Sequence, residues 1–266
     1  MIAPPVTRFE AAFTARPDAA RPGLIPYLTA GFPRLDDTAA LLDAAQQAGC
    51  IAAEVGIPFS DPLADGPTIQ RAGWRALQNG MTLHRAVEQV ARARAAGVSM
   101  PLAAMTYLNP VLAYGIESFC ADATAAGLDG AIIPDLPADE AAGVRATLHA
   151  AGLALIPLVA PTTTDARLRS ACAGAAGFVY CVSVTGVTGA RTDIDPGGME
   201  LLSRVRAVSE LPRALGFGLS RPEHLDALAG HAEAAVVGSA LIDALDAADG
   251  SPAATLAAFA RRLTRG

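Results

Sequence analysis

The chain contains no lysine; all 20 of its basic residues are arginine. Without a side-chain primary amine it cannot form a Schiff base with a carbonyl substrate or hold pyridoxal phosphate as an internal aldimine. Nor can it supply the lysine of a phosphate-binding P-loop. Cysteine is scarce as well: Cys50, Cys120, Cys172 and Cys181 are scattered, with no C-x-x-C and no histidine cluster nearby. Such spacing predicts reduced, mostly buried thiols in a reducing compartment, not a disulfide or zinc framework. The four histidines, His84, His149, His224 and His231, fall in or beside predicted helices, and no pair has a zinc-binding spacing. Ser60 and Ser183 lack a neighbouring histidine, which argues against a Ser–His nucleophile. No apolar run approaches the roughly 18 residues of a membrane span. The N-terminal stretch lacks the apolar core of a signal peptide. A net charge of −6 disfavours nucleic-acid binding, which needs a basic surface. Chemistry on this chain must rest on acids, hydroxyls or backbone dipoles, with a metal disfavoured.

What is present is ample core material: 52% of the 266 residues are hydrophobic. Short apolar segments recur at Leu24–Thr29, Ile51–Ile57, Pro101–Thr106, Ala131–Pro134, Leu153–Val159, Gly177–Ser183, Ala214–Gly218 and Ala234–Gly238. Near-continuous apolar runs of this length suit parallel strands covered on both faces. Amphipathic patterns fill the gaps. Asp36 or Asp37 can cap a helix that buries Leu41, Leu42 and Ala45 and ends at Gly49. Ala138–Ala151 reads as a helix stopped by Gly152, and Ser220–Glu223 as a capping box. Eight βα units predict an α/β fold, a (β/α)8 TIM barrel filling residues 1–266 as one domain. A doubly wound open sheet is the alternative. An extra N-terminal helix over Thr7–Ala15 puts Phe9 and Phe13 on one face. The long gap after strand two has room for another helix near Gln70–Gln78.

Barrel active sites lie at the carboxyl ends of the strands. The stretch Ala53–Gln70, AEVGIPFSDPLADGPTIQ, therefore sets Glu54, Asp61 and Asp65 at or near the catalytic face. An unpaired, ionised Glu54 inside a barrel is costly, so it is partnered, wet or protonated. Burial raises its pKa towards neutrality, where an acid can both give and take a proton. A structural salt bridge with an arginine is the competing reading. Asp65 can stay ionised beside a substrate donor, or simply cap a turn. Asp61, in Ser-Asp-Pro, reads as a turn residue. At the other side of the rim, Gly216-Phe217-Gly218 and Gly238-Ser239 follow strands seven and eight, each ahead of a helix. Unpaired amides at helix N-termini bind anions, and these loops hold phosphate in many barrels. Either glycine pair could instead only permit a tight turn. The long loop after strand six, with Gly186, Thr188 and Gly189, reads as a lid.

The segments Ile25–Pro33, Glu54–Gln70, Met105–Gly115, Ile132–Glu140, Tyr180–Gly189, Gly216–Gly218 and Val237–Ala240 together resemble the alpha subunit family of tryptophan synthase. The likeness runs nearly end to end. It implies cleavage of indole-3-glycerol phosphate to indole and glyceraldehyde 3-phosphate by acid–base retro-aldol chemistry, without metal or organic cofactor. By this resemblance Glu54 is the general acid/base, and Asp65 binds the indole N–H and stabilises positive charge on the ring. Tyr27, Tyr107 and Tyr180 line the site, and Gly189, Gly216, Phe217, Gly218, Gly238 and Ser239 hold the phosphate. Where some members carry arginine after the serine matching Ser183, this chain has Val184. The resemblance further implies a cytoplasmic alpha2-beta2 heterotetramer. Its beta subunit carries pyridoxal phosphate and faces Asp61, Pro62, Asn109 and Pro110. A stand-alone lyase and a catalytically silent regulatory subunit are the alternatives.

Overall fold

The computed structural model describes residues 5–15, 21–183, 195–216 and 218–264. Its strands are β1 Gly23–Thr29, β2 Ala53–Gly56, β3 Leu102–Met105, β4 Gly130–Ile132, β5 Ala154–Leu155, β6 Leu158–Val159, β7 Val179–Val182, β8 Arg213–Gly216 and β9 Ala234–Val237. All pair in parallel, in the order β5-β4-β3-β2-β1-β9-β8-β7-β6. The two ends of this ladder, β5 and β6, are separated in the chain only by Ile156 and Pro157. The Ile156 amide donates to the Ala131 carbonyl at 2.9 Å on one side. The Pro157 carbonyl accepts from the Tyr180 amide at 2.9 Å on the other. The sheet thus closes on itself through one interrupted strand, and the architecture is a TIM barrel.

The predicted strand Leu153–Val159 is corrected to these two pieces. Proline has no N–H to give to a ladder, so Pro157 breaks the strand where it changes partners. The other predicted segments each hold an observed strand, within two residues at either end.

Inside the barrel lie Ile25, Ala52, Ala103, Ile132, Ala154, Ile156, Phe178, Tyr180, Ala214, Ala234 and Val236. The many alanines leave space that larger groups must fill from below. The helix Arg8–Thr14 does this: Thr7 and Glu10 form its capping box, and Phe9 is fully buried. The Phe9 ring meets Phe178 edge-on at 5.4 Å between centroids, and Phe13 lies 5.8 Å from the same ring. Arg8 ties the helix to the buried Asp129 carboxylate at 2.8 Å.

On the outer side, helices bury single apolar faces. The extra helix after β2 spans Pro67–Gln78, with Gly66 at its N-cap and Pro67 in its first turn. The helix Asp37–Gln47 buries Leu41, Leu42 and Ala45 as its pattern predicts. Asp36 sits at the N-cap without capping; its carboxylate accepts instead from Gln89 and Arg92 of a neighbouring helix. The helix ending before Gly152 is shorter than its pattern, Ala142–Ala150, with turns before it. The Ser220–Glu223 capping box does not form. That helix, Pro222–Ala227, starts later, with Arg221 at the N-cap and no side-chain cap bond from it.

Candidate active site

Glu54 lies in an inward-facing row, with Ala52 just before β2 below it and Gly56 above, because side chains alternate along a strand. Across the ladders its neighbours are Tyr27 on β1 and Ala103 on β3. Its side chain is only 1% exposed, and neither carboxylate oxygen has a hydrogen-bond partner. Desolvation without compensation pushes its pKa up to about 8. No arginine reaches Glu54 among the described residues, so the salt-bridge reading is corrected.

Asp65 leaves the same strand through a stiff loop. The Leu63 amide donates to the Asp61 carbonyl, the Asp65 amide to the Pro62 carbonyl, and the Gln70 side chain to the Asp65 carbonyl. Asp61 takes a hydrogen bond from Ser60 at 2.6 Å, as a turn residue does. The Asp65 carboxyl is half-buried. Desolvation pushes its pKa up to about 6, opposed by a hydrogen bond from the Tyr107 hydroxyl. That hydroxyl also accepts from the Ala64 amide at 3.0 Å, so one tyrosine fixes both the loop and the acid it carries. Phe59 packs on the Tyr107 ring at 5.4 Å.

Two further tyrosines complete the enclosure. Tyr27 and Tyr180 are buried, and their hydroxyl pKa values rise, first through burial and then through nearby negative charge. For Tyr180 that charge is first Glu54; for Tyr27 it is first Asp65. The structure therefore brings Tyr27, Glu54, Asp65, Tyr107 and Tyr180 into one electrostatic neighbourhood. Gly56 and Phe59 belong to it too, although sequence reasoning gave them no role. A Cβ on Gly56 would strike the Tyr27 hydroxyl. The signal was available for Gly56, which follows Glu54 by two residues and so shares its face.

On β8 and β9, between the strands of Tyr180 and Tyr27, follow Gly216 at the end of β8, Gly218 with φ +76°, and Gly238, the N-cap of the helix Ser239–Asp246. Ser239 opens that helix and is exposed. Gly216 has a packing reason to be glycine, since a Cβ there would strike the Tyr180 hydroxyl. The Gly216 segment does not lead directly into its helix as predicted; Leu219, Ser220 and Arg221 intervene. Val184, Gly186, Thr188, Gly189 and Phe217 lie outside the described residues. Asp61, Pro62, Asn109 and Pro110 are exposed or half-buried on loops and a short helix beside the site, well apart from Glu54 in burial.

The family model described as tryptophan synthase alpha chain matches residues 13–264. A tryptophan synthase alpha chain of Chloroflexus aggregans is 48% identical over 241 residues, covering 91% of this chain and 90% of its own length. One of Roseiflexus castenholzii is 46% identical over 248 residues, covering 93% and 95%. Among solved structures, the tryptophan synthase alpha chain of Legionella pneumophila aligns with a TM-score of 0.88 at 32% identity, covering 98% of this chain and 97% of that one. A tryptophan synthase structure from M. tuberculosis aligns at 0.87 and 36% identity, covering 98% of each chain.

Proposed function

The chain belongs to the tryptophan synthase alpha chain family, and we propose that Glu54 and Asp65 carry out that family's lyase reaction in it. The enzyme is a carbon–carbon lyase of tryptophan biosynthesis, cleaving indole-3-glycerol phosphate to indole and glyceraldehyde 3-phosphate. Breaking that bond requires a proton at C3 of the indole, loss of a proton from the adjacent glycerol hydroxyl, and return of the bonding electron pair to the ring. Glu54, protonated below about 8, gives the first proton and, as a carboxylate, takes the second; it ends as it began. Asp65, ionised above about 6, accepts from the indole N–H and offsets the positive charge that forms when C3 is protonated. Near neutrality both acids occupy the states the reaction needs, a separation produced by unlike surroundings.

The observation that carries this reading is the unpartnered carboxyl of Glu54. A buried polar group without a partner costs stability, and such perturbed groups cluster at functional sites. Among the described residues no side chain or backbone group hydrogen-bonds either oxygen, which leaves both for a substrate. Tyr27, Tyr107 and Tyr180 shape that space, and backbone amides of the Gly216–Gly218 segment and of Gly238 and Ser239 receive the phosphate. Gly189 and Phe217 join them on the family resemblance alone. No cofactor enters the chemistry of this chain.

The beta subunit docks over Asp61, Pro62, Asn109 and Pro110, in an alpha2-beta2 assembly of the cytoplasm, and brings pyridoxal phosphate with it. Two large apolar side chains in the same segments support this face. Leu63 is 94% exposed and Leu112 is 55% exposed, apolar surface that a docked partner would cover.

The test is Glu54→Gln, which keeps the shape and removes proton transfer. Turnover of indole-3-glycerol phosphate falls at least about 100-fold, the lower range for one positioned acid–base group, with modest loss of binding. Near-normal turnover would assign the proton transfers elsewhere.

A further inference from the structure

The helix Pro222–Ala227 follows the glycine segment at the end of β8, and its N-terminus is organised unexpectedly. Ser220 was the natural cap, yet Ser220 donates and does not accept. Its backbone N–H is bound by Nδ1 of His224 at 3.1 Å. His224 is 3% exposed, and its Nε2 has no hydrogen-bond partner. The bond fixes the tautomer: Nδ1 must be bare to accept, so the ring proton sits on Nε2. A buried donor is left unsatisfied to keep that acceptor in place. At the other end of the segment, the Gly216 carbonyl accepts from the Ser183 amide at 3.1 Å and from the Ser183 hydroxyl at 3.3 Å. Gly216 is therefore held by Ser183 on the β7 side, and Ser220 by His224 on the helix side. Buried Leu219 lies between.

We propose that His224 is a positioning residue for substrate phosphate, setting through the Ser220 amide the backbone that runs back to Gly218, whose amide grips the anion. The proposal rests on the phosphate site described above. His224 touches neither the reacting carbon nor either acid. Its influence falls on affinity for the phosphate-bearing end of the substrate and leaves the bond-breaking step alone.

Two near-isosteric replacements separate this role from simple packing. In His224→Asn the amide oxygen stands where Nδ1 stood and can still accept from Ser220. In His224→Gln the oxygen reaches the position of Nε2 and the Ser220 bond is lost, although more of the buried volume is kept. The measurements are thermal midpoint, kcat and KM for indole-3-glycerol phosphate, and the Kd for glycerol 3-phosphate. Gly218→Val serves as the control that crowds the anion site directly.

The expected result is a crossover. His224→Asn is the less stable variant and binds glycerol 3-phosphate almost as the parent does. His224→Gln is the more stable and binds about fivefold more weakly, the loss of one orienting hydrogen bond. KM rises in parallel in His224→Gln while kcat stays within about twofold. If both variants bind alike while Gly218→Val binds weakly, the phosphate site stands and the role of His224 is overturned. If Gly218→Val also leaves affinity unchanged, the phosphate site itself falls and the inference falls with it.

Discussion

Between the ordinary carboxyl value near 4.5 and the folded value of about 8, the unfolded chain has released the Glu54 proton while the native chain keeps it. The native state then binds more protons than the unfolded state, so stability declines as pH rises through this window and levels off above it. At neutral pH the accumulated cost is on the order of 3 kcal/mol, at about 1.4 kcal/mol for each unit. Glu54→Gln removes that cost because the amide never ionises. The variant should gain roughly 1–3 kcal/mol in urea unfolding at pH 7.5 and gain little at pH 4. Equal stability at both pH values would mean that Glu54 is solvated or paired in solution. The same substitution is expected to abolish most turnover, so activity and stability move in opposite directions at one residue. Glu54 stood out in the sequence because a charge lay inside an apolar strand. The contact between Asp65 and Tyr107 did not. Those residues are separated by two helices and a strand, and the pairing of β2 with β3 brings the loops that follow them together.

At the scale of the element, period and punctuation carried most of the information. Helix patterns with glycine stops, such as Asp37–Gln47 before Gly49 with φ +85°, emerged close to their predicted limits. What escaped were features decided by a partner outside the element. Pro157 divides a strand because its two halves bond to different neighbours, and Asp36 abandons its cap because Arg92 and Gln89 lie opposite. The helix Arg8–Thr14 combines both kinds. Its face of Phe9 and Phe13 was legible, while its place under the barrel depends on Phe178 and Asp129, distant in sequence. Since Phe9 fills space left by alanines at the end opposite the acids, Phe9→Ala should cost about 3–5 kcal/mol, the usual range for a buried phenylalanine. Turnover at a temperature where the variant is folded should stay near the parent value. A large loss of kcat without loss of stability would place this helix in the catalytic machinery and not in the foundation.

For the whole molecule, the barrel separates its tasks by end. The N-terminal end is closed by a plug that Arg8 ties to the buried Asp129 carboxylate, while the carboxyl rim holds the acids and the glycine turns. Closure of the eight units was readable from their number. The proposed docking face was not readable from composition, because exposure is a property of the folded surface. Leu112 is the clearest probe of that face. It lies on the short helix Leu108–Tyr114 next to Asn109 and Pro110, one residue after the buried Val111, and is itself exposed. Leu112→Arg should therefore leave the fold nearly unchanged, within about 0.5 kcal/mol, as is usual for an exposed position. Cleavage of indole-3-glycerol phosphate by the isolated chain should be unaffected. Binding to the beta subunit, followed by titration calorimetry or gel filtration, should weaken by about 10–100-fold, the range for a buried apolar anchor replaced by a charge. Because catalysis and assembly are read in the same variant, unaltered affinity alongside normal cleavage would remove this helix from the interface. The partner would then have to reach the rim through the Asp61–Leu63 loop alone.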